Sequence, residues 1–289
     1  MKRSISAAAA LAFLVSPAFA EGPIKILAAQ NFYAEVATAI GGDRVSVETV
    51  AMPAGADPHD FEPAPSVARA VSDATIVVFN GADYDHWMEN LLESTERPER
   101  QVIEAASLIG AKEGDNPHVW YDPRTIPAVA EALATTLARL DPADAANYET
   151  RKTAFLATVK PVGDKVAAIR DRFAGASIAA TEPVFGYMAD ALGLKSGNAD
   201  FQAAVMNETE PSAKDVAALQ DDLREHKVKA LIYNTQVTDA MTEQLLAVAR
   251  EADVPVVGVT ETIPEGKTYP EWMLDELDAL EKALAGQSS

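Results

Sequence analysis

Short runs of consecutive apolar, often β-branched residues alternate with stretches of helical spacing along most of this chain. Runs at 24–29, 75–80, 177–181, 230–234 and 256–259 predict strands buried on both faces, and 101–105 predicts a short one. Only 45–50 alternates apolar and polar positions in the manner of a half-exposed strand. Helical spacing covers 32–40, which Gly41-Gly42 ends, and recurs at 65–71, 84–92, 189–192, 213–226, 238–252 and 269–284. Another helix is expected to begin near Pro123. Strands without alternation, separated by helices, are the pattern of a mainly parallel sheet covered by helices on both sides. From 143 to 174 the only glycine is Gly163, and the stretch reads as one long helix or as two pieces broken near Pro161-Val162-Gly163. The α/β pattern restarts after Gly175. The expected fold is therefore α/β, with two lobes joined by a long bridging helix and a cleft between them. Its divisions are 1–20, a leader; 21–141, the first lobe; 142–175, the linker helix; and 176–289, the second lobe.

The leader is set apart by its own pattern. Lys2-Arg3 precede a small-residue apolar run over 5–15, and Ala18-Phe19-Ala20 forms a cleavage signal. The apolar run is too short to span a bilayer, which takes about 20 residues. The mature protein is expected to start near Glu21, in the periplasm, neither membrane-embedded nor lipidated. With 289 residues and 48% hydrophobic positions, the chain can bury a sizeable core. It holds no cysteine, which excludes disulfides, zinc ribbons and thiol catalysis. The formal charge of −20 disfavours nucleic acid and anionic membranes as partners, and losing Lys2 and Arg3 makes it more negative.

Against this background the four histidines matter. His59 lies in Gly-Ala-Asp-Pro-His-Asp-Phe-Glu-Pro (55–63), and His118 lies in Asp-Asn-Pro-His-Val-Trp-Tyr-Asp-Pro (115–123). Proline fixes its own φ and extends the residue before it, so each segment reads as a stiff loop that aims an imidazole. Neutral imidazole is the commonest metal ligand among side chains. The second lobe offers two matching acids, since the strands 177–181 and 256–259 run through a threonine into Glu182 and Glu261. His86, in Asp83-Tyr84-Asp85-His86-Trp87, reads as an exposed residue at a helix start, with a supporting or entry role at the metal as the alternative, and His226 as a surface residue at a helix end.

Pro-His-Asp-Phe-Glu-Pro-Ala-Pro-Ser (58–66) and Asn-Pro-His-Val-Trp-Tyr-Asp-Pro (116–123) resemble the two histidine segments of the metal-binding receptors of bacterial zinc and manganese ABC importers, the ZnuA/TroA-like family. Phe-Asn-Gly (79–81), Trp87-Met88-Glu89 and Glu210-Pro211-Ser212 are similar to further family segments, and Ser212 is placed to cap the helix after it. The resemblance spans nearly the whole mature chain. It implies a single metal ion in the cleft, held by His59 and His118 from one lobe and by Glu182 and Glu261 from the other. At the third position zinc-type members generally carry histidine and manganese-type members glutamate; at the fourth the family usually has aspartate, one methylene shorter than Glu261.

Two imidazoles and two carboxylates suit either manganese or zinc. Bidentate carboxylates would bring the donors to about six, fitting manganese, and monodentate ones to about four, fitting a zinc tetrahedron. The resemblance also implies a monomer that docks on an ABC permease driven by an ATPase, and a binding protein in place of an enzyme. The alternative is an exported metallohydrolase built on the same four ligands, with Asp60, Glu62 or Asp122 as acid or base. An adhesin-like role would call for a sizeable exposed apolar patch, which the sequence does not supply.

Overall fold

The computed structural model describes residues 22–50, 61–207 and 209–286. His59, Asp60 and the leader lie outside them. The first lobe runs β1 (Ile24–Ala28), α1 (Asn31–Gly41), β2 (Val45–Thr49), α2 (Pro65–Asp73), β3 (Ile76–Phe79), α3 (His86–Ser94), β4 (Gln101–Glu104), α4 (Ala105–Ile109) and α5 (Thr125–Leu140). The helix α6 (Ala145–Phe173) follows. The second lobe runs β5 (Ser177–Ala180), α7 (Gly186–Ala191), β6 (Lys195–Ser196), α8 (Ala199–Met206), α9 (Ala213–Arg224), β7 (Leu231–Asn234), α10 (Ala240–Glu251), β8 (Val256–Val259) and α11 (Tyr269–Leu284).

Both sheets are fully parallel and have the same winding: β2-β1-β3-β4 in the first lobe and β6-β5-β7-β8 in the second. The burial pattern explains the apolar runs. Every residue of the interior strand β3 is buried, whereas the edge strand β2 alternates, as its sequence does. In such sheets the chain leaves in opposite directions from β1 and β3, and from β5 and β7. The crevice at that point, beyond the carboxyl ends of the strands, is where open α/β sheets bind ligands.

The long helix is a single element of 29 residues that continues through Pro161. A proline inside a helix removes one hydrogen bond and costs about 3 kcal/mol. The offset comes from one apolar stripe, with Phe155, Val159, Val162, Val166 and Ile169 buried at three- and four-residue spacing. That stripe packs on α1 and α5 of the first lobe and on α11 of the second, so the helix ties the lobes along its length. One continuous core joins them as well. Phe32 stacks on Trp120 at 5.3 Å and on Trp272 at 6.0 Å between ring centroids, and Tyr121 meets Trp272 at 5.8 Å and Phe185 at 5.3 Å. These rings belong to both lobes and are buried, and contacts of this kind rank among the strongest apolar ones. No helix among the described residues is long and apolar enough to cross a membrane.

Two local expectations are corrected, and some short elements are added. The helix expected over 84–92 begins at His86, because Gly81, Ala82 and Asp83 all adopt positive φ (78°, 52° and 66°) and the chain there wraps around the Asp85 carboxylate. Asp85 is buried and accepts from Asn80 N–H (2.7 Å), Gly81 N–H (2.8 Å) and Gln30 Nε2 (3.0 Å). The short helix expected at 189–192 starts three residues earlier, at Gly186, after a single tight turn over Pro183–Phe185. α4, β6 and α8 went unpredicted, since α4 is only five residues, β6 is two exposed residues and α8 has no clean apolar stripe. The cap expected at Ser212 is present, its Oγ accepting from Asp215 N–H at 3.2 Å.

Candidate metal centre

Three of the four residues expected at the metal converge between the lobes. His118, Glu182 and Glu261 are 0%, 3% and 0% exposed, and each offers one donor atom within 4.8 Å of the others'. His118 Nε2 lies 4.0 Å from Glu182 Oε1 and 3.6 Å from Glu261 Oε2. Among the described residues no other group of three histidines or acids is so arranged. Two carboxylates in a buried space are costly unless a positive partner offsets them. A cation held between the three atoms would supply that offset.

Each side chain is aimed by its own surroundings. His118 is fixed by Asn116, whose Oδ1 accepts from the imidazole Nδ1–H at 2.7 Å and from the His118 backbone N–H at 3.1 Å. The Asn116 amide cannot be flipped, because its Nδ2 donates to the Pro183 carbonyl at 2.7 Å. With the proton on Nδ1, Nε2 presents a lone pair toward the two carboxylates. This is the usual outer support of a metal-bound histidine. It also explains a glycine: a Cβ on Gly186 would come within 2.7 Å of Asn116 Nδ2. The loop before His118 is tied from both sides, by Asn80 Nδ2 to the Pro117 carbonyl (2.7 Å) and by the Tyr187 hydroxyl to the Asn116 carbonyl (2.8 Å).

Glu182 and Glu261 follow the carboxyl ends of β5 and β8. Between those strands lies β7, whose last residue, the buried Asn234, donates to Glu182 Oε2 and to Glu261 Oε1, both at 2.7 Å. Gln236 Oε1 accepts from the backbone N–H of Glu261 at 2.6 Å. From the first lobe the Tyr84 hydroxyl donates to Glu261 Oε2 at 3.0 Å. Thus Glu261, which has one methylene more than the aspartate the family usually places there, is held by Asn234 and Gln236 at the end of β7 and by Tyr84 of the first lobe. Asn234, Gln236, Asn116 and Tyr84 escaped the sequence reading. The one signal available was that Asn234 ends an apolar strand, much as Glu182 and Glu261 follow theirs.

His86, His226, Asp122 and Glu62 lie elsewhere. His86 is exposed, with Nδ1 at 3.2 Å from Glu89, and His226 is exposed at the end of α9 with φ of 52°. Asp122 is engaged by the Arg124 guanidinium at 2.6 Å, and Glu62 is exposed.

Behind Glu261 sits a second buried acid, Glu276. Its Oε1 accepts from Trp272 Nε1 (2.7 Å) and from Thr260 N–H (3.1 Å). The Tyr121 hydroxyl oxygen lies 2.7 Å from both Glu276 Oε2 and the Thr260 carbonyl. One phenol proton serves only one of those two acceptors, and a protonated Glu276 provides the second. Burial pushes the Glu276 carboxyl up from 4.5 to about 8, against the lowering effect of the Tyr121, Trp272 and Thr260 donors. Because the folded state holds this proton more tightly, its contribution to stability is complete below about pH 4.5 and is lost as pH rises toward 8. The metal-free protein is therefore expected to show a falling urea midpoint between pH 5 and pH 8, and Glu276→Gln a flatter profile. Equal slopes in the two proteins would contradict the neutral carboxyl.

The profile of one family, described as ZnuA, zinc-uptake complex component A, periplasmic, matches residues 26–283. The chain belongs to the ZnuA family. Among its relatives is the manganese-binding lipoprotein MntA of Halalkalibacterium halodurans, 25% identical over 277 residues that cover 91% of this chain and 89% of MntA. The fold is similar to that of the periplasmic zinc binding protein TroA from Treponema pallidum, with a TM-score of 0.76 at 19% identity over 91% of this chain and 99% of TroA. It is also similar to Zn(II)-bound AdcA from Streptococcus pneumoniae, with a TM-score of 0.70 at 20% identity over 93% of this chain. There the chain spans 59% of the longer protein. The ZnuA family is one of transport substrate-binding proteins, and the two lobes, bridging helix and cleft described above are its architecture.

Proposed function

We propose that this protein captures one divalent transition-metal ion, manganese or zinc, and delivers it to the membrane permease of an ABC importer powered by an ATPase. The observation that carries the reading is the buried convergence of His118 Nε2 with one oxygen each of Glu182 and Glu261 at the carboxyl ends of strands in a member of the ZnuA family. The ligands are His118, Glu182 and Glu261, with His59 from the segment 51–60 as the fourth. Capture suits this construction, since the ligand from one lobe and the two from the other meet at a single point, and the ion is cargo. The chain acts as a carrier and performs no covalent chemistry.

The leader over 1–20 directs it to the periplasm, where it works as a monomer, with lobes over 21–141 and 176–289 joined by 142–175. MntA is named a lipoprotein. The 289 residues here contain no cysteine to carry a thioether-linked lipid, so in our reading the mature chain is released by cleavage after Ala20. The intact mass of the secreted protein reads this directly.

Titration of chelator-stripped protein with Mn²⁺ and with Zn²⁺ in a calorimeter tests the reading: one ion per chain is expected, and failure with both ions overturns it. Replacing Glu182 with histidine exchanges an oxygen donor for the nitrogen donor that zinc favours. Glu182→His is expected to raise the zinc-over-manganese preference in competition titrations, and an unchanged preference would remove Glu182 from the ligand set.

A further inference from the structure

The segments that carry His118 and Glu261 come from different lobes, and one face of α11 touches both. Tyr269, Trp272 and Glu276 recur at three- and four-residue spacing and are all buried, so they share one face of that helix. The Tyr269 hydroxyl donates to the Trp120 carbonyl at 2.9 Å, and Trp272 packs on Tyr121 with ring centroids 5.8 Å apart. The turn they hold, Val119–Tyr121, starts directly after His118, and the Tyr121 N–H returns to the His118 carbonyl at 3.2 Å. On the other side, Thr260 shares a peptide bond with Glu261. Its carbonyl lies 2.7 Å from the Tyr121 hydroxyl, and the N–H of the same peptide donates to Gln236 Oε1 at 2.6 Å. Both edges of the peptide that launches Glu261 are therefore gripped, one of them by a side chain of the first lobe.

Glu276 decides whether that grip holds. In the protonated acid, Oε2 gives its hydrogen to the Tyr121 oxygen, which leaves the phenol hydrogen for the Thr260 carbonyl. Oε1 accepts from Trp272 Nε1 at 2.7 Å and from Thr260 N–H at 3.1 Å. An ionised carboxylate would take the phenol hydrogen for itself, and the Tyr121 and Thr260 oxygens would then face each other at 2.7 Å with no hydrogen between them. We infer that Glu276, as a neutral acid, is a positioning residue that locks the Tyr121 hydroxyl onto the Thr260–Glu261 peptide and so fixes the separation of His118 from Glu261 on which affinity for the ion depends. The inference rests on the assignment of His118 and Glu261 as ligands proposed above, and it holds whatever the coordination number. Metal–donor distances vary by only about 0.2 Å, so a ligand with a loosened backbone must be re-ordered by the ion, at a cost in affinity.

Calorimetric competition between the intact protein and a chelator for Zn²⁺, at a temperature where circular dichroism shows each variant folded, tests this. Glu276→Leu removes both oxygens at similar bulk and is expected to weaken Zn²⁺ binding roughly tenfold, the scale of losing an outer support of a metal ligand. Tyr121→Phe removes a single hydroxyl and is expected to cost about the same factor. The double variant is expected to lose no more than the weaker-binding single one, because the two residues act as one unit. Glu276→Gln puts an amide N–H where the acid proton stands and is expected to bind as the unmodified protein does, as is the control His226→Ala. If Glu276→Leu does not fold, Tyr121→Phe and Glu276→Gln decide the matter. Affinity unchanged in folded Tyr121→Phe, whatever its loss of melting temperature, would reduce the contact to core packing and reject the inference while leaving the ligand assignment intact. A Glu276→Gln variant as weak as Tyr121→Phe would reject the role of the neutral acid. Failure of the unmodified protein to bind either Mn²⁺ or Zn²⁺ would instead bring down the ligand assignment, and this inference with it.

Discussion

His118→Ala is expected to weaken binding of both Mn²⁺ and Zn²⁺ by more than about 100-fold, since removing only the outer support of a metal ligand already costs 10- to 100-fold. The imidazole is wholly buried, and its tautomer is set by Asn116. Its ring also packs edge-on against Trp120 at 5.3 Å and Tyr84 at 6.0 Å, so the substitution leaves a small cavity beside the site. That cavity lowers stability somewhat, by the loss of contacts and by the space left behind. The loss of affinity is separated from this by measuring binding calorimetrically at a temperature where the variant is folded. His226→Ala, on an exposed helix end, is expected to bind both ions as the unmodified protein does. Similar losses in the two variants would remove His118 from the site.

The second large effect is stabilisation by the ion itself. A ligand that binds only the folded state adds RT ln(1 + [L]/Kd), about 4 kcal/mol at a thousandfold excess over Kd. In a chain of this size each kcal/mol moves the midpoint by about 2–4 °C, so thermal unfolding is expected to shift upward by roughly 10 °C with saturating Zn²⁺ or Mn²⁺. Chelation should reverse the shift. Binding needs a neutral imidazole and ionised carboxylates, so the shift is expected to shrink as pH falls. A transition unmoved by either ion at pH 7.5 would contradict the binding function.

The parts of the fold legible in the sequence are those dictated by burial alone. Strands covered on both faces must be apolar without alternation, which made β3, β5 and β7 readable, and helical spacing gave α11 its bounds over 269–284. His118, Glu182 and Glu261 were legible because each sits at a transition that leaves a local mark: a proline before the imidazole, or an apolar strand that ends in Thr-Glu. The supporting residues leave no such mark. Asn234 acts on partners 52 and 27 positions away, and Tyr84 on one 177 positions away. An asparagine or tyrosine near a strand end is unremarkable until the sheet order and the packing of the two lobes bring it to its acceptor. The start of α3 failed for a related reason, since the chain there is ordered around a buried carboxylate that no periodicity reports.

The connections across the cleft also bear on how cargo is taken up. Asn31 exchanges two hydrogen bonds with the backbone of Ile263, at 3.0 and 3.1 Å, and the Tyr269 hydroxyl donates to the Trp120 carbonyl at 2.9 Å. Together with the shared aromatic core and the bridging helix, these links favour local adjustment of the loops that carry the ligands over wide opening of the lobes.

The central claim is that an ion sits between His118 Nε2, Glu182 and Glu261. Crystals of the protein grown with Mn²⁺ or Zn²⁺ and measured at the metal's absorption edge read this most directly. The account predicts one strong anomalous peak per chain, within about 2.0–2.2 Å of His118 Nε2 and of an oxygen from each glutamate. A peak at any other set of side chains, with none between these three, would contradict it.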